Sequence, residues 1–136
     1  MSKNNHNLES GSSLNRSDDR IIETQEVFTP MELCHLMVQD IPLDIRKNPK
    51  STFLDNSSGS GNFIVALLED LQNYHSREHI ISNMLYAVEL MEDNHIEMCE
   101  RLGISTTHPH FVCHDALTYD YSFSEPLNTL DAMLFH

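Results

Sequence analysis

Apolar residues follow two alternating patterns along the chain, short continuous runs and stretches with helical spacing. The continuous runs are rich in β-forming residues and predict four strands, at 52–54, 84–88, 111–113 and 130–135. Helical spacing lies between the first three runs and predicts helices over about 61–73 and 92–102, the second ended by Gly103. The polar segment 42–50 is predicted to be a connection, and 75–82 is ambiguous. This alternation predicts an α/β fold, with a parallel sheet of about four strands and flanking helices.

A complete helix-start signature precedes the first strand. Thr29 fits the N-cap, Pro30 the first helical position, and Glu32 the reciprocal acid of a capping box. Phe28 and Leu33 have the spacing of a hydrophobic staple. The helix is predicted to run to about residue 40, because a proline follows shortly afterwards. One of its faces is predicted to be the apolar one, formed by Leu33, Leu36, Met37 and Ile41.

The most informative stretch is the small, polar loop between the first strand and the next helix. Asp55 ends the strand, and the residues after it are too small and polar for a core strand. Gly59 and Gly61 can take backbone angles closed to other residues, and they leave no Cβ between a ligand and the main chain. Ligands of open α/β sheets bind at such junctions, where free N–H groups suit the carboxylate of an amino-acid-like ligand. The alternative is an ordinary connection in which serine and glycine only make a turn.

Two further acids stand at predicted strand ends, Glu89 after the second strand and Asp115 after the third. A carboxylate in such a place accepts hydrogen bonds from both hydroxyls of a ribose in nucleotide-binding α/β folds. The alternative for each acid is an exposed side chain where a strand meets solvent. Acids at three successive strand ends are the pattern that a parallel sheet brings to one edge.

Composition narrows the function classes. Eight basic against twenty-one acidic residues leave a formal charge of −13, which argues against this chain gripping nucleic acid by itself. Residues 1–19 are rich in serine, asparagine and charge, and we expect a disordered tail there. No apolar run reaches membrane-spanning length and no signal peptide precedes the fold, so a cytoplasmic protein without a membrane contact is expected. Three cysteines are predicted to be reduced, buried thiols, at Cys34, Cys99 and Cys113.

Four short motifs resemble, in order, those of the S-adenosylmethionine-dependent DNA methyltransferases that modify adenine at N6, including type I modification subunits and related phage methylases. The resemblance spans about residues 24–136. The family's motifs read (V/Y)-(F/Y)-T-P, then D-P-x-x-G-x-G-x-F, then an acidic motif after the second strand and an aspartate motif after the third. In this chain they are VFTP at 27–30, DNSSGSGNF at 55–63, AVEL at 87–90 and CHDAL at 113–117.

The resemblance implies a partial Rossmann-like methyltransferase fold over residues 20–136, with S-adenosyl-L-methionine as the cofactor. By the same resemblance, Glu89 binds the ribose, Leu90 or Met91 covers the adenine, and Asp115 accepts from the adenine amino group. The residues implied in cofactor binding are Phe28, Thr29, Pro30, Asp55, Asn56, Ser57, Gly59, Gly61, Asn62, Phe63, Glu89, Leu90, Met91, Asp115 and Ala116.

Two positions depart from the family pattern. Asn56 replaces the usual proline, and the catalytic tetrapeptide, Asn/Asp-Pro-Pro-Tyr/Phe, is absent, with His136 at the position of its first residue. That tetrapeptide holds the adenine amino group in line with the methyl donor and stacks on the flipped base. The expected protein is therefore a truncated or partner-dependent methylase portion, reaching DNA only through missing or partner-supplied regions such as a partner methylase chain. The alternative is a non-catalytic methylase remnant that acts as a binding or inhibitory protein in restriction-modification or phage–host interaction.

Two other readings fit less well. A dinucleotide-dependent oxidoreductase shares the sheet and glycine turn, but Ile64 stands where its third glycine belongs. Such enzymes also place an acid about 20 residues after the glycine turn, and Glu89 lies farther along the chain than that. A metal site could draw on Cys99, His108, His110 and Cys113. The spacing of these four matches none of the common zinc patterns, so no metal is predicted.

Overall fold

The computed structural model describes residues 29–124. Within them, helices and strands alternate, as the apolar pattern predicted. In chain order the elements are helix α1 (Met31–Asp40), helix α2 (Leu43–Lys47), strand β1 (Phe53–Asp55), helix α3 (Asn62–Leu71), helix α4 (Arg77–His79) with a π-helical turn (Ile80–Met84), strand β2 (Leu85–Glu89), helix α5 (Glu92–Leu102) and strand β3 (Phe111–Cys113).

The three strands form one parallel sheet in the order β1-β2-β3. Asp55 of β1 is level with Ala87 of β2, and Glu89 of β2 is level with Cys113 of β3. Because parallel strands all point the same way, their carboxyl ends meet at one edge of the sheet. The predicted α/β class and parallel sheet are confirmed for these three strands.

The two crossover helices bury the faces that the sequence indicated. Ile64, Leu67 and Leu71 of α3 are fully buried, as are Met98 and Leu102 of α5. Both helices show the 3.6-residue period of a helix with one apolar face against a core. The predicted bounds of α5 are met, and Gly103 ends it in the left-handed conformation with a φ of 69°.

Helix α1 departs from the prediction at its start. It begins at Met31, since Pro30 has a ψ of 146°, which is extended backbone, and no side chain caps the helix. The predicted N-cap at Thr29, with Pro30 as first helical residue and a capping box to Glu32, is therefore wrong by one position. The fixed φ of proline fits both a helix and an extended segment, so the sequence could not separate the two.

The buried face of α1 also differs from the prediction. Cys34 and Val38 are buried, whereas Leu33, Leu36 and Met37 are 47%, 65% and 43% exposed. The helix carries two apolar stripes, and α1 packs against α3 through the one with smaller side chains. Ile41, also on the predicted face, is partly buried against the core. Periodicity predicted the helix but could not decide which stripe the fold would bury.

Two polar segments contain more structure than predicted. The connection over 42–50 includes α2, whose Arg46 is buried and pairs with Asp70 of α3 at 3.2 Å. The ambiguous segment 75–82 contains α4, capped by the hydroxyl of Ser76, and most of the π-helical turn. Polar contacts order α2 and the start of α4, while Ile80 and Ile81 anchor the end of the second segment in the core. Neither segment is long enough to show an apolar helical period.

Several predictions lie outside the described residues. They concern the tail at 1–19, the staple residue Phe28, the fourth strand at 130–135 and His136. Among the described helices, none is both long and apolar enough to cross a membrane.

Candidate functional site

The loop after β1 folds back onto the end of β2. Its first turn forms where the amide of Ser57 donates to Asp55 Oδ1 at 3.0 Å. The amide of Ser58 then donates to the carbonyl of Val88 at 3.2 Å, thirty residues away in sequence. Gly59 has a φ of +56° and Gly61 a φ of +97°, values that glycine adopts without strain. The loop therefore has a defined conformation and is hydrogen-bonded to the neighbouring strand.

The two glycines have different roles. A Cβ on Gly61 would lie 2.8 Å from Cγ of Met98 in α5, closer than real Cβ contacts. The missing side chain at Gly61 thus makes room for helix packing, whereas the sequence suggested that it makes room for a ligand. Gly59 lies two residues earlier in the loop, and its amide donates to Glu89 Oε1 at 2.7 Å.

Glu89 ties the loop, β2 and α5 together. Besides Gly59, its carboxylate accepts hydrogen bonds at Oε2 from the amide of Met91 at 3.0 Å and from Nδ2 of Asn94 at 3.2 Å. The side chain is 7% exposed. An ionised carboxylate has about four acceptor positions, so these three bonds leave it capacity for another donor. The site's central acid is thus oriented by the protein itself.

Asp55 lies beside Glu89 at the end of the adjacent strand. Burial raises the pKa of the Asp55 carboxyl, the amide of Ser57 acts in the opposite direction, and the charge of Glu89 raises it further. Two carboxylates in one corner repel each other, and a cation or a hydroxyl donor between them relieves that repulsion. The pair therefore suits a ligand that carries an ammonium group or a diol.

A narrow polar cleft opens beside Asp55. It is lined by Thr29, Asp55, Asn62, Phe63 and the loop residues 57–60, and its volume is about 40 Å³. Sites for small molecules usually enclose about 300–1,000 Å³. The cleft in this form has room for a small polar group, while the larger part of a nucleoside ligand would lie outside it.

Arg101 is a site residue that the sequence analysis missed. From the last turn of α5, its Nη1 donates to the carbonyl of Ser60 and to Oδ1 of Asn62, both at 2.8 Å. Nδ2 of Asn62 in turn donates to the carbonyl of Thr29 at 2.7 Å. In the sequence, Arg101 is an ordinary basic residue at a helix end. The contacts span about forty residues of chain, and no spacing signal could have indicated them.

The remaining predicted site residues are separate from this cleft. Asp115 is exposed, and its Oδ1 accepts the amide of Leu117 at 2.9 Å within a local turn that also holds Ala116. A second, open groove of about 450 Å³ lies beside the end of β3 and is lined by residues from 112 to 124. Leu90 is 58% exposed next to Glu89, and Met91 is partly buried. The structure brings Asp55, Glu89 and the glycine turn together, and places Asp115 on the neighbouring part of the edge.

The thiols are only partly as predicted. Cys34 and Cys99 are buried, and burial raises the pKa of each to about 11, so neither is a reactive thiolate at neutral pH. Cys113 is free but exposed, so its predicted burial is wrong, because it is the last residue of β3 and lines the open groove at the strand's end. Within the same residues, no group of three or more His, Cys, Asp and Glu side chains is placed to hold a metal ion.

Asn56 and Ser57 are exposed residues of the loop, and Ser57 also lines the cleft. Pro30 directly precedes α1, beside Thr29. No protein-family model matches this chain, and no curated protein matches its sequence.

Proposed function

We propose that this chain is the S-adenosylmethionine-binding portion of a DNA adenine-N6 methyltransferase, with a partial Rossmann-like fold. One observation carries the proposal. Asp55 and Glu89 end adjacent parallel strands, and a glycine turn that leads into α3 lies between them and donates to Glu89. The strand order β1-β2-β3 also agrees with one half of the doubly wound nucleotide-binding fold, whose ligands bind outside the carboxyl ends of the strands.

The chemistry of the site fits the two ends of this cofactor. Asp55 in the polar cleft would pair with the ammonium group of the methionine end. The carboxylate of that end would lie at the first turn of α3, whose amides have no acceptor within the helix. Glu89 has acceptor capacity left for a ribose hydroxyl, and exposed Leu90 offers apolar surface to the adenine. Each group of the ligand thus has a partner of matching charge or polarity.

Methyl transfer needs a further element. The acceptor base requires a binding site such as the Asn-Pro-Pro-aromatic tetrapeptide provides. These 136 residues contain no Pro-Pro-aromatic sequence. The proposal for this chain is therefore cofactor binding. Transfer to DNA would depend on residues or a partner chain that supply the missing element, and the strongly acidic charge is consistent with DNA contacts being made elsewhere.

Calorimetric titration with S-adenosylmethionine and its demethylated product tests the binding. We expect saturable binding of both, and in Glu89→Ala a loss of about 1–3 kcal/mol of binding free energy, because hydrogen bonds to a charged group are removed. Glu78→Ala, a change to an exposed acid on α4, serves as the matched control and should leave affinity unchanged. A folded wild-type chain that binds neither molecule would contradict the proposal.

A transfer assay separates the catalytic from the non-catalytic alternative. Labelled methyl transfer to adenine-containing DNA is measured with this chain alone and with a methylase chain that carries an Asn-Pro-Pro-aromatic sequence. Transfer only in the mixture would identify a partner-dependent enzyme. Cofactor binding without transfer in any mixture would favour a methylase remnant with a binding or inhibitory role.

A further inference from the structure

We propose that Arg101 is a positioning residue that holds the polar cleft in the shape required by the amino-acid end of the ligand. This inference rests on the proposed function, because it assigns a part of that same site. It concerns a residue that touches no ligand itself. Arg101 would act through two groups that line the cleft.

The contacts of Arg101 form a relay from α5 to the start of α1. Its guanidinium donates from Nη1 to the carbonyl of Ser60 and to Oδ1 of Asn62, both at 2.8 Å. Its Nη2 lies 3.6 Å from the sulfur of Met31. A guanidinium forms several hydrogen bonds in one fixed plane, so a single side chain fixes the loop, the first residue of α3 and the first residue of α1 relative to one another.

The relay also fixes which way the side-chain amide of Asn62 faces. A guanidinium can only donate, so the amide oxygen must face Arg101. The NH₂ group of Asn62 must then face the carbonyl of Thr29, to which it donates at 2.7 Å. Removing Arg101 removes the charged donor that binds the amide oxygen of Asn62, and it loosens the link between Thr29 and the loop.

The relay acts on one half of the site. Thr29, Ser60 and Asn62 all line the polar cleft with Asp55, whereas Glu89 does not. Ser60 is only 1% exposed, and its buried hydroxyl has no hydrogen-bond partner among the described residues. Buried hydroxyls are normally paired, so this one is a group that a polar ligand entering the cleft would satisfy. Arg101 therefore shapes the half that would take the ammonium and carboxylate groups, and not the half that would take the ribose.

Two ligands that differ only at that end test the inference. S-adenosylhomocysteine carries the amino-acid end, and 5′-methylthioadenosine lacks it but keeps the adenine and ribose. In Arg101→Ala, calorimetry should show an affinity for S-adenosylhomocysteine lowered by about tenfold or more, while the affinity for 5′-methylthioadenosine changes less than twofold. Arg77→Ala, at an exposed arginine on α4, is the matched control and should leave both affinities unchanged.

A second variant covers the case in which Arg101→Ala does not fold. Arg101→Lys keeps the charge and the alkyl stem but lacks the planar fork, and we expect the same selective loss at a smaller size. If a folded variant binds both ligands equally more weakly, or binds both as tightly as wild type, the role of Arg101 is overturned while the proposed function stands. If the folded wild-type chain binds neither ligand, the proposed function fails and this inference fails with it.

Discussion

The two halves of the sheet's carboxyl edge are built from the same pattern, an acid after a short strand, yet they differ in structure. At the end of β2, Glu89 is buried and accepts three hydrogen bonds, one from a loop thirty residues away. After β3, Asp115 is exposed and accepts the amide of Leu117 two residues on. The acid alone does not make a site. What distinguishes the first half is a distant loop that returns to the carboxylate.

The contacts that hold the loop in each half differ as well. Helix α5 backs the glycine turn directly, since Met98 fills the space beside Gly61 and Arg101 binds the loop carbonyl of Ser60. The turn after β3 is held mostly by short-range hydrogen bonds, such as the carbonyl of Asp115 accepting the amide of Tyr119 at 2.9 Å, and Phe123 packs on Tyr86 of β2. We therefore expect substitutions in the first half to affect the whole fold and those in the second half to act locally.

The largest effect is expected from Gly61→Ala. The positive φ costs an alanine about 1–2 kcal/mol, and displacing buried Met98 adds about 1–3 kcal/mol, so the free energy of unfolding should fall by about 3 kcal/mol. Urea denaturation followed by circular dichroism measures it. Gly59→Ala is the matched control, with a loss of about 1 kcal/mol from its positive φ. Equal losses for the two variants would mean that α5 does not press on the turn as described.

A smaller effect is expected from Glu89→Ala, and a smaller one still from Asp115→Ala. Removing Glu89 takes an acceptor from three donors, one buried and two partly buried, for a loss of about 2 kcal/mol in the free energy of unfolding. Removing exposed Asp115 should cost about 0.5 kcal/mol. The same denaturation experiment compares the two. A larger loss for Asp115→Ala would reverse the contrast between the halves.

The smallest effect is a pH dependence at Asp55. Its pKa is raised in the folded chain, chiefly by burial. Its contribution to stability is therefore fully present below the unfolded value of about 3.9 and is lost as the pH rises through the folded pKa. Asp55→Asn keeps the acceptor for the Ser57 amide and removes this loss, so the variant should gain stability relative to wild type between pH 4 and pH 7.

Denaturation midpoints at the two pH values measure this difference. Glu78→Gln, at an exposed position, controls for the general effect of removing one negative charge. A gain for Asp55→Asn no larger than that of the control would show that burial does not raise the pKa of Asp55.

The sequence predicted some parts of this protein well because local rules govern them. The bounds of α5 follow from a single apolar stripe and a terminal glycine, and the three described strands follow from short β-forming runs. Helix α1 shows where such rules stop. Both of its apolar stripes have helical spacing. The fold buries the one with the smaller side chains, Cys34 and Val38, against α3, and leaves Leu36 and its neighbours exposed. Which stripe is buried depends on a partner helix thirty residues away.

By itself, the amino-acid sequence determined the α/β alternation, the positive backbone angles at the glycine turn and the order of acids along the chain. Only the tertiary structure decided that Glu89 is bound by the loop, that Asp115 is not, and that Arg101 links Ser60, Asn62 and Thr29. The physical reason is the range of the interactions. Propensity and periodicity act over a few neighbouring residues, whereas these hydrogen bonds join groups thirty to forty residues apart, and their partners are set by how the helices pack on the sheet.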